Sequence, residues 1–247
     1  MSESDLPPIP RLPSRQSTEA RPARQRALSR ETIAAAALEI VDREGLDALT
    51  MRTVARALGT GAASLYAHVA SKEELLEMVV ERVIGEVPLP GPPDPARWQE
   101  QVKEMGRAVR SVFSRHRDLA RASFARIPLG ENSLRGSEWM ISVLRAGGLP
   151  DQLVAFACDL FPMYVMAISY EESVYASEDV TSDVMRDFAD RMGQYFASLP
   201  PDRFPNIVSL AGPLTAGDDN ERFEFGMEVL IRGLIAMAGE SVEHPGV

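Results

Sequence analysis

The stretch from Leu49 to Glu74, LTMRTVARALGTGAASLYAHVASKEE, leaves the chain little freedom. Thr50 is an N-cap residue, because its hydroxyl can accept a bond from an orphan N–H of the first helical turn. Met51, Val54, Ala55 and Leu58 then recur at helical spacing and form one apolar stripe. Gly59 stands where the chain must turn left-handed, which glycine does without steric cost. After Thr60 and Gly61, Ala62 to Val69 reads as a second short helix with Leu65 and Val69 facing inward. Ser71-Lys72-Glu73-Glu74 reads as a capping box, serine at the cap and glutamate three residues on, opening a longer apolar-periodic helix. Helix, tight turn, helix is the arrangement in which the second helix enters a DNA major groove.

The formal charge of −10 argues against DNA until its distribution is considered: residues 11–72 hold ten Arg/Lys against six Asp/Glu. Phosphates respond to basic groups within a Debye length, so acid elsewhere in the chain does not forbid binding. Residues 1–27 carry five prolines and several arginines without apolar periodicity, and are expected to be a disordered arm. Arg15, Arg21, Arg24 and Arg26 would either be a solvated leader or touch phosphates beside the main site.

Thr50-Met51-Arg52, Ala55, Leu58-Gly59, Ser64-Leu65-Tyr66, His68-Val69 and Lys72-Glu73-Glu74-Leu75 resemble the N-terminal domain of the TetR family of bacterial transcriptional regulators. The likeness runs from Ser29 to about Ile84, and LYxHVxxKEEL placed just after a helix-turn-helix is its most specific part. The resemblance implies a DNA-reading surface of Thr50, Arg52, Thr60, Ala62, Ala63, Ser64, Tyr66, Ala67, His68 and Lys72. Arg52, Lys72 and Tyr66 would meet phosphate, and His68 the DNA backbone, since no metal-ligand partner lies within its helical reach. Ala62, Ala63 and Ala67 offer methyl contacts to thymine but no hydrogen bonds, so a relative's operator does not transfer directly.

The remaining chain reads as helix throughout, giving an all-α expectation. A first helix opens at Ser29, buries Ile33, Ala37, Ile40 and Val41, and ends at Gly45. The helix after Ser71 carries Leu75, Leu76, Val79, Val80, Val83 and Ile84 and stops at the proline-rich PLPGPPDP, residues 88–95. This places an N-terminal three-helix helix-turn-helix domain with its connecting helix at residues 28–87 and a C-terminal helical domain at 96–240. Further helices are expected at Arg97–His116, Arg117–Arg126, Glu131–Ala146, Asp151–Ala176, Val180–Leu199 and Glu221–Ala238. Residues 200–216 read as a loop with at most one turn.

RFPNI at 203–207, ERFEFG at 221–226 and the segment around His116 are similar to the C-terminal domain of the tetracycline-repressor branch. That resemblance implies effector binding and a two-fold homodimer. The apolar stripes of Asp151–Ala176 and Glu221–Ala238, too broad for one domain to hide, are the expected interface, giving a palindromic double-stranded DNA operator. Met105, Val109, Phe113, Phe124, Trp139, Val143, Phe161, Met163, Tyr164 and Ile168 are the expected walls of a pocket for a small, mostly apolar effector. His116 and Glu171 are candidate polar anchors, and ordinary core packing is the competing reading of each wall residue. The histidine–asparagine set of a magnesium-tetracycline site is not matched, since Pro88 stands at one of its histidine positions, so tetracycline is not the expected effector.

No Ser-His-Asp spacing, Gly-rich phosphate loop or metal-ligand cluster is legible, so neither enzymatic activity nor a cofactor nor a metal is expected. Cys158, the single cysteine, lies in an apolar run; a small buried hydrophobe and a redox sensor are its two readings. No secretory signal or membrane span is expected, and with no internal disulfide possible the expected location is cytoplasmic. The function so indicated is a ligand-responsive transcriptional regulator, a repressor released from its operator by the effector. A helical carrier whose helix-turn-helix no longer reads DNA is the alternative.

Overall fold

A computed structural model describes residues 28–116, 118–123, 129–177 and 182–243, which leaves the proposed arm and Phe124 outside the described residues. Its described secondary structure is helical, without a strand. The first four helices are α1 (Arg30–Glu44), α2 (Met51–Ala57), α3 (Ala62–Tyr66) and α4 (Lys72–Ile84), with a short 3-10 turn at Leu46–Ala48. Two similar capping boxes start α1 and α2. Thr32 N–H donates to Ser29 Oγ at 3.2 Å while Ser29 N–H donates to Thr32 Oγ1 at 2.9 Å. Thr53 and Thr50 repeat the exchange at 3.1 and 3.0 Å. Each cap is worth about 1 kcal/mol, enough to fix where a short helix begins.

Gly59 turns the chain with φ 63°, in the left-handed region expected of it. Helix α3 is shorter than its pattern suggests and ends at Tyr66, yet Val69 still reaches the core because its N–H bonds Leu65 O at 2.9 Å. Only half of the expected box at Ser71 forms. Ser71 Oγ accepts Glu74 N–H at 3.1 Å, but the Glu74 carboxylate takes the Ala70 N–H at 2.6 Å instead of that of Ser71. Ile33, Ala37, Val41, Leu49, Val54, Leu65, Leu75 and Val79 close a core between α1 and α4, with α2 and α3 laid across it.

The C-terminal body comprises α5 (Trp98–Phe113), α6 (Leu119–Ser123), α7 (Glu131–Ala146), α8 (Asp151–Ser177), α9 (Ser182–Ala197), α10 (Pro205–Ser209), α11 (Ala211–Thr215) and α12 (Asp219–Glu243). Two short helices thus replace the loop expected at 200–216; both pack on α9, and Pro205 starts the first with its φ already helical. Helix α8 is the centre, touching α5, α6, α7 and α12. By length and mean hydropathy alone, 1.6, its segment Asp151–Val174 is apolar enough to cross a membrane. In this fold Leu153, Val154, Ala157, Phe161 and Val165 use that apolarity to pack against neighbouring helices.

The proline-rich stretch does not swing free. Trp139 Nε1 donates to Gly91 O at 2.6 Å, and the Gln101 side chain bonds Pro92 O at 2.7 Å and Asp94 N–H at 2.9 Å. It is therefore fastened to the body, and α4 runs from the head into contact with α5, α6 and α7. A second joint lies beside it. The buried His116 places Nδ1 3.1 Å from both Asp42 carboxylate oxygens and Nε2 3.2 Å from Glu86.

Candidate functional site

Two surfaces stand at opposite ends of α4. On the head, α3 buries Leu65 and presents Ala63, Ser64, Tyr66 and Ala67 to solvent; Tyr66 is 56% exposed. Ala62, Thr60 and His68 are half-buried at its edges. Thr50, Arg52 and Lys72 are exposed around it, and among the described residues no partner engages the Arg52 or Lys72 side chain. Seven of the ten expected residues are thus exposed and three half-exposed, on α2, α3, the start of α4 and the turns between them. Sequence reasoning missed Arg30, which ties this surface together. Its guanidinium donates to His68 O at 2.6 Å and pairs with Glu74 at 2.6 Å, joining the start of α1 to the α3–α4 turn. The Ala70 N–H, and then Arg30, hold the Glu74 carboxyl below its ordinary range.

Residues 28–87 carry six Arg/Lys against ten Asp/Glu, so the local basic excess of the 11–72 window comes from the arm.

At the other end lies a cavity of about 170 Å³, measured as room for the centres of water molecules. Met105, Val109, Phe113 and Phe161 of the expected set line it. Phe124 lies outside the described residues, and the other expected walls do not line the cavity. Trp139 is turned to Gly91, and Val143 is fully buried in the core. Met163 is 56% exposed on α8, while Tyr164 donates from its hydroxyl to Phe223 O at 3.2 Å and braces α8 on α12. Ile168 packs against the core, Glu171 faces solvent, and His116 serves the head–body joint. The reason is phase: a straight helix shows each neighbour a different stripe, and periodicity does not say which stripe meets empty space.

Walls that the sequence did not reveal come from α4 and the chain after it (Ile84, Val87, Leu89) and from α7 (Asn132, Ser133, Arg135, Gly136, Ser137, Met140). Cys158, Pro162, Val165, Met166 and Met227 complete the apolar side. Cys158 is half-buried on that wall, and burial pushes its thiol up, away from the thiolate a redox sensor needs. Pro162, within α8, removes one helical N–H on this wall. Arg135 is the single charged residue of the lining. Among the described residues no group of three or more His, Cys, Asp or Glu could hold a metal ion.

Both ends match known families. Residues 33–79 match the model for bacterial regulatory proteins of the tetR family, and residues 91–238 match the tetracyclin repressor-like C-terminal domain. The chain belongs to the tetR family. It is a ligand-responsive, DNA-binding transcriptional repressor, all-α, with an N-terminal helix-turn-helix domain and a C-terminal helical domain. Among tetR-family proteins of known structure it is similar to apo ActR from Streptomyces coelicolor, at 48% identity and a TM-score of 0.78, covering 87% of this chain and 98% of that one. ActR in complex with actinorhodin superposes with a TM-score of 0.80 at 47% identity, covering 87% and 99%. The HTH-type transcriptional repressor DrrR1 of Streptomyces coeruleorubidus is 29% identical over 218 residues, 86% of this chain and 79% of that protein.

Proposed function

We propose that the protein is a homodimer that holds a palindromic operator and releases it when a small, mostly apolar molecule fills the cavity. The observation that carries this is the position of α4. It starts under the reading face at Lys72, and Ile84 near its end is a wall of the cavity. A molecule seated there touches the helix that sets the head. A ligand changes DNA affinity only through its different affinity for the two arrangements of the dimer, so this contact is where the difference arises. Solved complexes of ActR with actinorhodin and with (S)-DNPA support a small-molecule effector for this chain, and name the first molecules to try.

Apolar stripes left bare by the monomer support the dimer. On α8, Phe156, Leu160 and Met163 are exposed at helical spacing, and on α12, Phe225, Val229 and Met237 are exposed along one side. Leu234 and Ile231, by contrast, face inward and pack within the subunit. Two-fold pairing of α8 and α12 would make a four-helix interface and set the reading helices one helical turn of DNA apart, about 34–36 Å, or a small multiple of it. In this reading Arg52 and Lys72 hold phosphates, Tyr66 and His68 the backbone, and Ala63 with Ser64 the base edges, in the cytoplasm where the operator is.

The test is selection of duplexes from a random pool by the purified protein, followed by titration of the complex with actinorhodin and other apolar metabolites. A palindromic consensus and ligand-driven release are expected. Selection of no preferred sequence would favour the carrier reading.

A further inference from the structure

Helix α7 begins without a capping side chain of its own, because its N-cap is Gly130. The missing cap comes from α4. The Glu81 carboxylate accepts the Asn132 N–H, the Ser133 N–H at 3.3 Å and the Ser133 hydroxyl at 2.6 Å. The Glu81 backbone carbonyl also accepts the Asn132 side-chain amide at 3.2 Å. A carboxylate at this end of a 16-residue helix meets both the orphan N–H groups and the positive end of the helix dipole.

Gly130 is what makes room. Its φ of −73° suits any residue, so conformational freedom is not the reason for glycine. A Cβ there would overlap the Glu81 carboxyl group. The first two turns of α7 also face the cavity, since Asn132 and Ser133, bonded to Glu81, line it together with Arg135, Gly136 and Ser137. One turn of helix thus has α4 fastened to it and the cavity against it.

We infer that the Glu81 cap on α7 is the joint through which the cavity sets the position of α4, a role that rests on the cavity being the effector site. The apolar contacts of Ile84 and Val87 can slide as α4 moves. Directional bonds to a side-chain acceptor cannot: they either carry α4 along with α7 or break and leave the acceptor poorly satisfied. That gives the two discrete arrangements which coupling between separate sites requires. Glu81 is a positioning residue here, touching neither DNA nor effector.

The experiment fills the cavity without knowledge of the natural effector. Cys158 lines it and is the only cysteine of the chain, so benzyl methanethiosulfonate in mildly alkaline buffer places one benzyl group inside, with stoichiometry read by mass spectrometry. Affinity for a selected duplex is measured with and without the label for the full-length chain, Glu81→Ala, Gly130→Ala, the double variant and a Cys158→Ser control. The label should weaken binding by the parent chain by about 5- to 150-fold, the usual span of allosteric coupling. In Glu81→Ala and Gly130→Ala that ratio should fall close to one, while the unlabelled variants still bind the duplex. The double variant should lose no more coupling than either single one, because the added methyl acts only by displacing Glu81. Gly130→Ala keeps the carboxylate in the chain and remains decisive if Glu81→Ala fails to fold. Release from both single variants as large as from the parent would overturn the joint and leave the cavity assignment standing. A fully labelled parent chain that binds DNA unchanged would overturn the cavity assignment, and the joint with it.

Discussion

The head and the body of this protein are stabilised in contrasting ways. In the head, short-range bonds set the starts of α1 and α2: Ser29 with Thr32 and Thr50 with Thr53, each three residues apart. Its proposed DNA-reading side chains point outward, where local geometry decides their direction. In the body, ion pairs of long sequence separation tie one helix to another. Arg107 pairs with Glu224 at 2.5 Å across 117 residues, and Lys103 with Glu228 at 2.5 Å across 125. Its proposed working surface is a void that five separate segments enclose. A face made of neighbours in sequence tolerates change around it, whereas a void exists only while distant helices keep their distance.

The largest expected effect tests whether the body acts through pairing. Phe156→Asp with Phe225→Asp changes two exposed positions, 62% and 71%, so the subunit should still fold. Sedimentation should show a monomer, and loss of two-headed binding should cost roughly 10²–10⁴-fold in operator affinity. A dimer that persists with full affinity would place the interface elsewhere.

A smaller effect should follow from crowding the void directly. Val109→Phe adds bulk to a half-buried wall residue without touching the head. Operator affinity measured by titration should fall about 5- to 150-fold, mimicking the effector, and actinorhodin should release no further DNA from this variant. Unchanged operator affinity together with an intact response would separate the cavity from the switch.

On the head, Arg52→Ala and Lys72→Ala should weaken all duplexes alike and each reduce the salt slope by roughly one. Ala63→Gln should instead change which sequence is selected, because it brings hydrogen-bonding groups to a position proposed to face the bases, which now holds a methyl. Equal behaviour of the three variants would mean that the outward face has no division between phosphate and base contacts.

The smallest expected effect concerns Glu74. Its carboxyl is held below the ordinary range in the folded head by the Ala70 N–H and Arg30. The lowered value makes the sign definite: the contribution is present above the unfolded carboxyl pKa and is lost as pH falls through the folded one. Acid titration of the full chain should therefore loosen the α1–α4 contact in Glu74→Gln less steeply than in the parent. Because Arg30 and Glu74 are partly exposed, their ion pair is worth no more than about 1 kcal/mol. Parallel acid profiles would show that the cap survives protonation.

The sequence by itself determined the elements whose causes lie within a few residues. Ser29, Thr50, Gly59 and Ser71 mark their turns by side-chain capping or by φ, and Glu131–Ala146 was legible from end to end. The outward face of α3 followed from the same logic, since burying Leu65 fixes where Ala63, Ser64 and Tyr66 must point. Tertiary structure alone decided the rest. Phe113 and Phe161 line the void while Val143, equally apolar, fills a core, and nothing in their own segments distinguishes them. Glu81 reads as one more solvated acid on α4 until Gly130, far along the chain, leaves the space it occupies. Apolar periodicity tells which side of a helix leaves water, because that is a property of one segment. Whether that side meets a neighbour, a cavity or a second subunit depends on where the other helices stand.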